Sequence, residues 1–220
     1  KRQVFIYNWG KAEMVDNLRE LGIKVVVVKG PKSIADVKEN VKLIAKTLGE
    51  EDKGNLMIAK MDDKLAEIKE KVDNIKPERR KKLVLISLMI SYGGKGCTFD
   101  DICKYAGVIN GVSDAGLHNG QLLTKEMLVD INPDLLIMPV YNDHKTFDIE
   151  KYNKEFLEDP ALQTLNAVKE KRFFYPREGY IYNSSQDIVF GVQEVARAAY
   201  GSLFDQPENC HISVVAEVEK

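Results

Sequence analysis

The sequence is poor in several things, and each shortage excludes something. It has no apolar run near the roughly 20 residues that a membrane-spanning helix needs. It has 3 cysteines (Cys97, Cys103 and Cys210), an odd number without zinc-ligand spacing, so neither a disulfide framework nor a zinc module is indicated. They read as free, mostly buried thiols, with a Cys97–Cys103 pair as the alternative, and they do not settle the compartment. It has little net charge: 32 Lys plus Arg against 34 Asp plus Glu leaves −2. That gives no electrostatic case for nucleic acid or an anionic bilayer as partner. The 3 histidines (His118, His144, His211) show no metal spacing, and no Gly-x-Ser-x-Gly motif accompanies them.

What is present is an ordinary globular composition, 44% apolar and 30% charged over 220 residues. That is enough for one large domain or two small lobes. Strand-like sequence begins almost at Lys1, with no signal peptide ahead of it, which reads as the interior of a longer protein.

The chain alternates strand and helix patterns. Val4–Tyr7 reads as a strand. Met14, Val15, Leu18 and Leu21 recur at helical spacing, Gly22 stops that helix, and the β-branched run Ile23–Val28 is a second strand. This is a β-α-β unit, for which a right-handed crossover is expected. After Gly30-Pro31, Ser33 with Asp36 signals a helix that runs to Leu48. Ile58, Met61, Leu65, Ile68, Val72 and Ile75 then form one apolar stripe. They predict a helix of about 24 residues, about 36 Å long, which suits a strut across two lobes. Pro77 ends it, and Glu78–Lys82 reads as a charged link rather than a nucleic-acid patch.

The alternation then resumes. Strands are expected over Leu83–Ile90, Asp134–Val140 and Arg172–Tyr175. Helices are expected from a Thr98 cap with Asp101 at the reciprocal position, from Thr124 to Val129, over 148–158 and 160–170, and from Ser184 or Ser185 onward. Such alternation predicts a mainly parallel sheet with helices on both faces.

Two features bear on chemistry. The loop Tyr92–Thr98 lies between a strand and a helix but fails the phosphate-loop pattern, because Lys95 is followed by Gly96. Its glycines still allow a ligand close to backbone at a strand's carboxyl end, where open α/β sheets bind ligands. Large residues also gather at such ends: Tyr7 and Trp9, Tyr92, Tyr141, then Tyr175, Arg177, Tyr180 and Tyr182. Rings with one guanidinium suit a wide, flat, partly anionic ligand. Trp9, Tyr92, Arg177 and Tyr180 are the leading candidates, followed by Tyr182, Tyr141 and His118. Packing is the alternative for each aromatic taken singly.

The order of elements resembles the class III periplasmic binding proteins, the ABC importer substrate-binding proteins for iron-siderophores, haem and cobalamin. The resemblance rests on Asn8-Trp9-Gly10 through Leu21-Gly22-Ile23-Lys24-Val25, on Ser33–Asp36 and on Leu48-Gly49. It continues through Gly94–Asp101 with Ala106-Gly107, and through Leu123–Glu126 with Asn132-Pro133-Asp134. It closes with Asp159-Pro160, Leu165–Lys169 and Arg172–Tyr175.

The resemblance implies an α/β fold of two lobes with mainly parallel sheets joined by one long rigid helix. Residues 1–50 would be the remnant of an incomplete first lobe, 51–77 the connecting helix, and 78–220 the second lobe. It implies an extracytoplasmic, non-enzymatic, monomeric protein. Such a protein has no intrinsic cofactor, takes an iron or other metal chelate as ligand, and has a membrane permease as partner. If haem is the ligand, a tyrosine such as Tyr92 or Tyr180 could ligate the iron. The resemblance also implies that Glu126 docks on the permease; favourable placement near a helix start is the alternative. Cys97 stands where the family usually has a small residue. Two readings of other classes remain. One is a metal-cluster or chelatase-like enzyme subunit, which would need Cys97, Cys103 and His118 to converge. The other is a scaffold that kept the fold without a ligand.

Overall fold

The computed structural model describes residues 4–7, 12–89, 92–140 and 147–215. The first unit is the expected β-α-β: β1 (Val4–Tyr7), α1 (Ala12–Glu20) and β2 (Lys24–Val27), with Val4 opposite Lys24 and Tyr7 opposite Val27 in parallel register. Val15 and Val25 form its small core with Leu18 and Ile23.

Two helices follow, α2 (Ile34–Leu48) and α3 (Glu51–Asp73). Ser33 caps α2, its Oγ accepting from Asp36 N at 3.1 Å, and Asp36 in turn accepts from Lys32 N at 2.8 Å. Gly49, at φ 74°, closes α2 in the left-handed conformation that favours glycine. The stripe Met61, Leu65, Ile68 and Val72 is buried as its spacing predicts, together with Ile34 and Val37 of α2.

The two helices approach closely where Gly54 faces Ala45: a Cβ on Gly54 would sit 2.4 Å from Ala45 Cβ. Gly54→Val is therefore expected to destabilise by about 2 kcal/mol despite replacing a poor helix former, since overpacking outweighs the propensity gain of under about 1 kcal/mol. Urea denaturation measures it. Adding Ala45→Gly should restore much of the loss.

The larger sheet comprises β3 (Lys82–Leu85), β4 (Ile109–Asn110), β5 (Leu135–Ile137) and β6 (Phe173–Phe174), in the order β4-β3-β5-β6 and parallel throughout. Successive residues go to opposite faces. Leu83, Leu85 and Ile137 join the core with α3 and the helices α4 (Thr98–Tyr105) and α10 (Ile188–Tyr200). Val84, Ile86, Leu136 and Met138 face the other side, against α6 (Lys125–Ile131) and Leu162, Leu165 and Ala167. Both faces are covered, as expected of a parallel α/β sheet.

Some boundaries differ from expectation. The strand from Leu83 stops at Leu85 and that from Asp134 at Ile137. Single bonds carry the ladder one residue further, from Ile86 N to Ile137 O and from Met138 N to Phe174 O, both 2.8 Å. The 160–170 segment is a 3-10 turn (Pro160–Leu162) and then α8 (Asn166–Lys169). There Asn132 Oδ1 accepts from Asn166 N at 2.9 Å and starts a separate helix. Thr98 is the first residue of α4 rather than its cap; Cys97 holds the cap position without a side-chain capping bond, its Sγ donating instead to Gly94 O at 3.2 Å. Asp101 instead accepts from Ile34 N at 2.8 Å, so a carboxylate of α4 caps α2.

The final helix starts at Ile188. Asn183 and Ser185 are occupied in local turns ahead of it, and Asp187 turns to the C-terminal segment, accepting from Ile212 N at 2.9 Å. The remaining described elements are α5 (Gly111–Asp114), α7 (Ile149–Leu157), α9 (Glu178–Ile181) and 3-10 turns at Pro77–Arg79 and Gly201–Phe204. Cys97, Cys103 and Cys210 are free thiols.

Candidate functional site

The carboxyl ends of β3 and β5 open onto a cleft. Ser87, Leu88 and Met89 leave β3 and divide it into two cavities. One, about 520 Å³, reaches Tyr92, Leu122 and Lys125 and the aromatic residues Phe147, Tyr152 and Phe156 at α7. The other, about 350 Å³, lies between the same segment, Pro139 and Gly179–Asn183 at α9. The Tyr92 and Tyr182 rings meet at 5.5 Å with 38° between their planes and join the two sides. Tyr92 O–H shares a hydrogen bond with Thr98 Oγ1 at 2.8 Å, and Tyr182 O–H donates to Ser87 Oγ at 3.4 Å. Burial pushes the Tyr92 phenol well above the usual tyrosine range, so it stays protonated at neutral pH.

The glycine-rich loop is held against the segment before α6. Gly94 packs on the His118 backbone so closely that a Cβ would sit 2.6 Å from His118 C. Lys95 and His118 pair as a parallel bridge. His118 itself is exposed, its N–H donating to Gln121 Oε1 at 2.6 Å.

The structure thus brings Tyr92 and Tyr182 together on the cleft. Arg177 and Tyr180 are committed elsewhere. Arg177 Nε and Nη2 each donate to the fully buried Glu194 at 3.0 Å, and Nη1 donates to Pro207 O at 2.6 Å. Each partner holds the other charged: Glu194 raises the Arg177 pKa, and the Arg177 bonds keep the Glu194 carboxyl low against the opposing effect of its burial. The guanidinium also lies 5.6 Å from the Tyr180 ring. Tyr180 O–H accepts from Cys210 N at 2.7 Å and reaches Cys210 O at 2.9 Å, which pins the C-terminal segment. Trp9 and Tyr141 lie outside the described residues, as does His144.

Glu126 is exposed, the second residue of α6. Its carboxyl is held below the usual range first by the backbone N–H at this helix start and then by the Thr124 hydroxyl. Cys97 and Cys103 are buried while His118 is exposed, and no group of three His, Cys, Asp or Glu placed for a metal occurs among the described residues.

Sequence reasoning missed Leu88, Met89, Phe147 and Glu194. Leu88 and Met89 read as strand interior, and only the end of the ladder shows them to be cleft residues. Glu194 stands in an apolar helix with nothing local to reveal its partner 17 positions away.

These features, a parallel α/β sheet with an aromatic cleft at its strand ends, are those of a ligand-binding α/β protein. The family model described as periplasmic binding protein matches residues 5–178, and the chain belongs to that family. It is similar to the ABC transporter substrate-binding lipoprotein YvrC of Bacillus subtilis strain 168, with 24% identity over 200 residues. That match takes in 89% of this chain and 60% of the relative's length. The periplasmic haem-binding protein RhuT of Roseiflexus sp. RS-1 shares the fold at a TM-score of 0.76 and 18% identity, over 90% of this chain and 75% of that one. CeuE of Helicobacter pylori, solved with Ni(II) bound, does so at 0.67 and 20%, over 90% and 61%. Among the described residues no helix is long and apolar enough to cross a membrane.

Proposed function

We propose that this chain is part of an extracytoplasmic substrate-binding protein of an ABC importer. It captures an iron chelate, haem or a related metal complex such as cobalamin, and hands it to a membrane permease without chemical change. The observation that carries this reading is the aromatic cleft at the ends of β3 and β5 in a chain of this family. The names of its relatives, a transporter lipoprotein and a haem-binding protein, support the same direction. In this reading residues 1–50 belong to a first lobe, 51–77 connect, and 78–220 form the second lobe, and the protein acts as a monomer. Tyr92 and Tyr182 contact ligand, and Trp9, Tyr141 and His118 are the further candidate contacts. Arg177 and Tyr180 shape its edge by holding the C-terminal segment.

Titrating the full-length protein with haem, cobalamin and ferric siderophores should quench Trp9 fluorescence for at least one of them. No response to any would sink the reading. Glu126, exposed and ionised, is the docking residue for the permease. Glu126→Ala should lower transport roughly tenfold, the scale of an interface anchor, while ligand affinity is unchanged. A loss of affinity instead would place Glu126 in the pocket.

A further inference from the structure

We infer that the ligand presents an uncharged, apolar face to this wall of the cleft. The inference rests on the chelate-binding reading and sharpens it to a class of chelate. Four exposed large apolar residues converge on the larger cavity: Leu88 (36% exposed), Met89 (51%), Leu122 (62%) and Phe147 (41%). Scattered exposed apolar residues are normal, but several around one cavity mark a surface that is covered in use.

Several polar side chains of the wall already serve as acceptors for local backbone N–H groups. Ser87 Oγ accepts from Met89 N at 3.1 Å, and Thr124 Oγ1 accepts from Met127 N at 3.2 Å. Gln121 Oε1 is held by His118 N. Asn183 donates to Gly179 O at 2.7 Å and accepts from Ser185 N at 2.6 Å. The cations are committed as well. Lys125 lines the larger cavity but is paired with Asp159, and the Arg177 guanidinium is tied to Glu194 and Pro207. No Asp or Glu lines either cavity among the described residues. An anionic group pressed onto this wall would lose hydration and have to compete with Asp159 for Lys125, which is costly, whereas an apolar face gains by the same burial.

The test compares matched pairs on the full-length protein. One pair is iron(III) mesoporphyrin dimethyl ester against iron(III) tetrakis(4-sulfonatophenyl)porphyrin. The other is an uncharged ferric tris-hydroxamate against a ferric tris-catecholate trianion. In whichever pair binds, the member without anionic groups should bind at least about tenfold more tightly, the cost of leaving one charged group poorly solvated. Its Kd should change less than about twofold between about 50 and about 500 mM salt, since screening acts on charge pairs. Leu122→Lys, at an exposed position, should narrow or reverse the preference. Equal or tighter binding of the anionic member, or a steep salt dependence, overturns the inference and leaves chelate binding standing. Failure of all four compounds, together with no response to haem or cobalamin, removes the chelate reading and this inference together.

Discussion

Arg177→Ala should destabilise the protein by about 3 kcal/mol, the scale of breaking a buried ion pair by removing one partner. Glu194 is fully buried and takes two guanidinium bonds and the Arg177 backbone N–H. Removing the side chain leaves that carboxylate with the residue-177 backbone N–H, Arg197 at 3.3 Å and Gln206 at 3.2 Å, and takes the guanidinium donor from Pro207 O. Urea unfolding followed by circular dichroism measures the loss. The double variant Arg177→Met, Glu194→Gln should be more stable than Arg177→Ala alone, because a buried carboxylate left with Arg197 as its counter-ion and stripped of its bidentate partner is worse than no charge.

The pH dependence has a definite sign. In the native protein Glu194 has a depressed pKa, so its contribution is present above the unfolded-state value of about 4.3 and is lost as pH falls through the folded one. In Arg177→Ala the guanidinium bonds that oppose the effect of burial are gone, so the carboxyl is less depressed than in the native protein. The gap between the two proteins should therefore be widest near neutrality and close as the pH drops below about 4. A gap that stays constant with pH would point to lost packing instead.

Gly191→Ala should cost about 3 kcal/mol. A Cβ there would lie 2.4 Å from Tyr180 O and 3.0 Å from Tyr180 C, with Ile102 Cδ1 at 3.5 Å. The obstacle is the backbone of α9, which cannot rotate aside as a flexible side chain can. Alanine improves helix propensity by under about 1 kcal/mol, so the steric cost of about 1–3 kcal/mol or more for overpacking decides the sign. The displacement falls on the element that carries Tyr182 to the cleft. A weakened ligand response should therefore accompany the fall in stability. A more stable Gly191→Ala variant would mean that α9 yields freely.

Much of the fold was legible because period and burial agree. The stripe from Met61 to Val72 is one buried face of α3, and the leucine-rich run at β3 is a strand covered on both sides, whereas the β-branched run at β2 buries Val25 and leaves Val27 exposed. The short elements were not. β4 and α5, at 2 and 4 residues, are too brief to display a period, and α9 follows an aromatic segment that carries no helical stripe. The site was half legible. Rings at strand ends pointed to Tyr92 and Tyr182, but residue type cannot tell a guanidinium that faces a ligand from one that neutralises Glu194. That distinction depends on contacts between distant segments, as does the exposure of Leu88 and Met89 where the strand ends.

The carboxylate that caps α2 comes from Asp101, 67 positions after Ile34. During synthesis at about 5–20 residues per second, the two are separated by roughly 3–13 s. Through that interval α2 has only its local Ser33 cap, and Ile34 and Val37, which the finished core encloses, have not yet met α4. The nascent chain thus exposes that apolar helical face until α4 emerges.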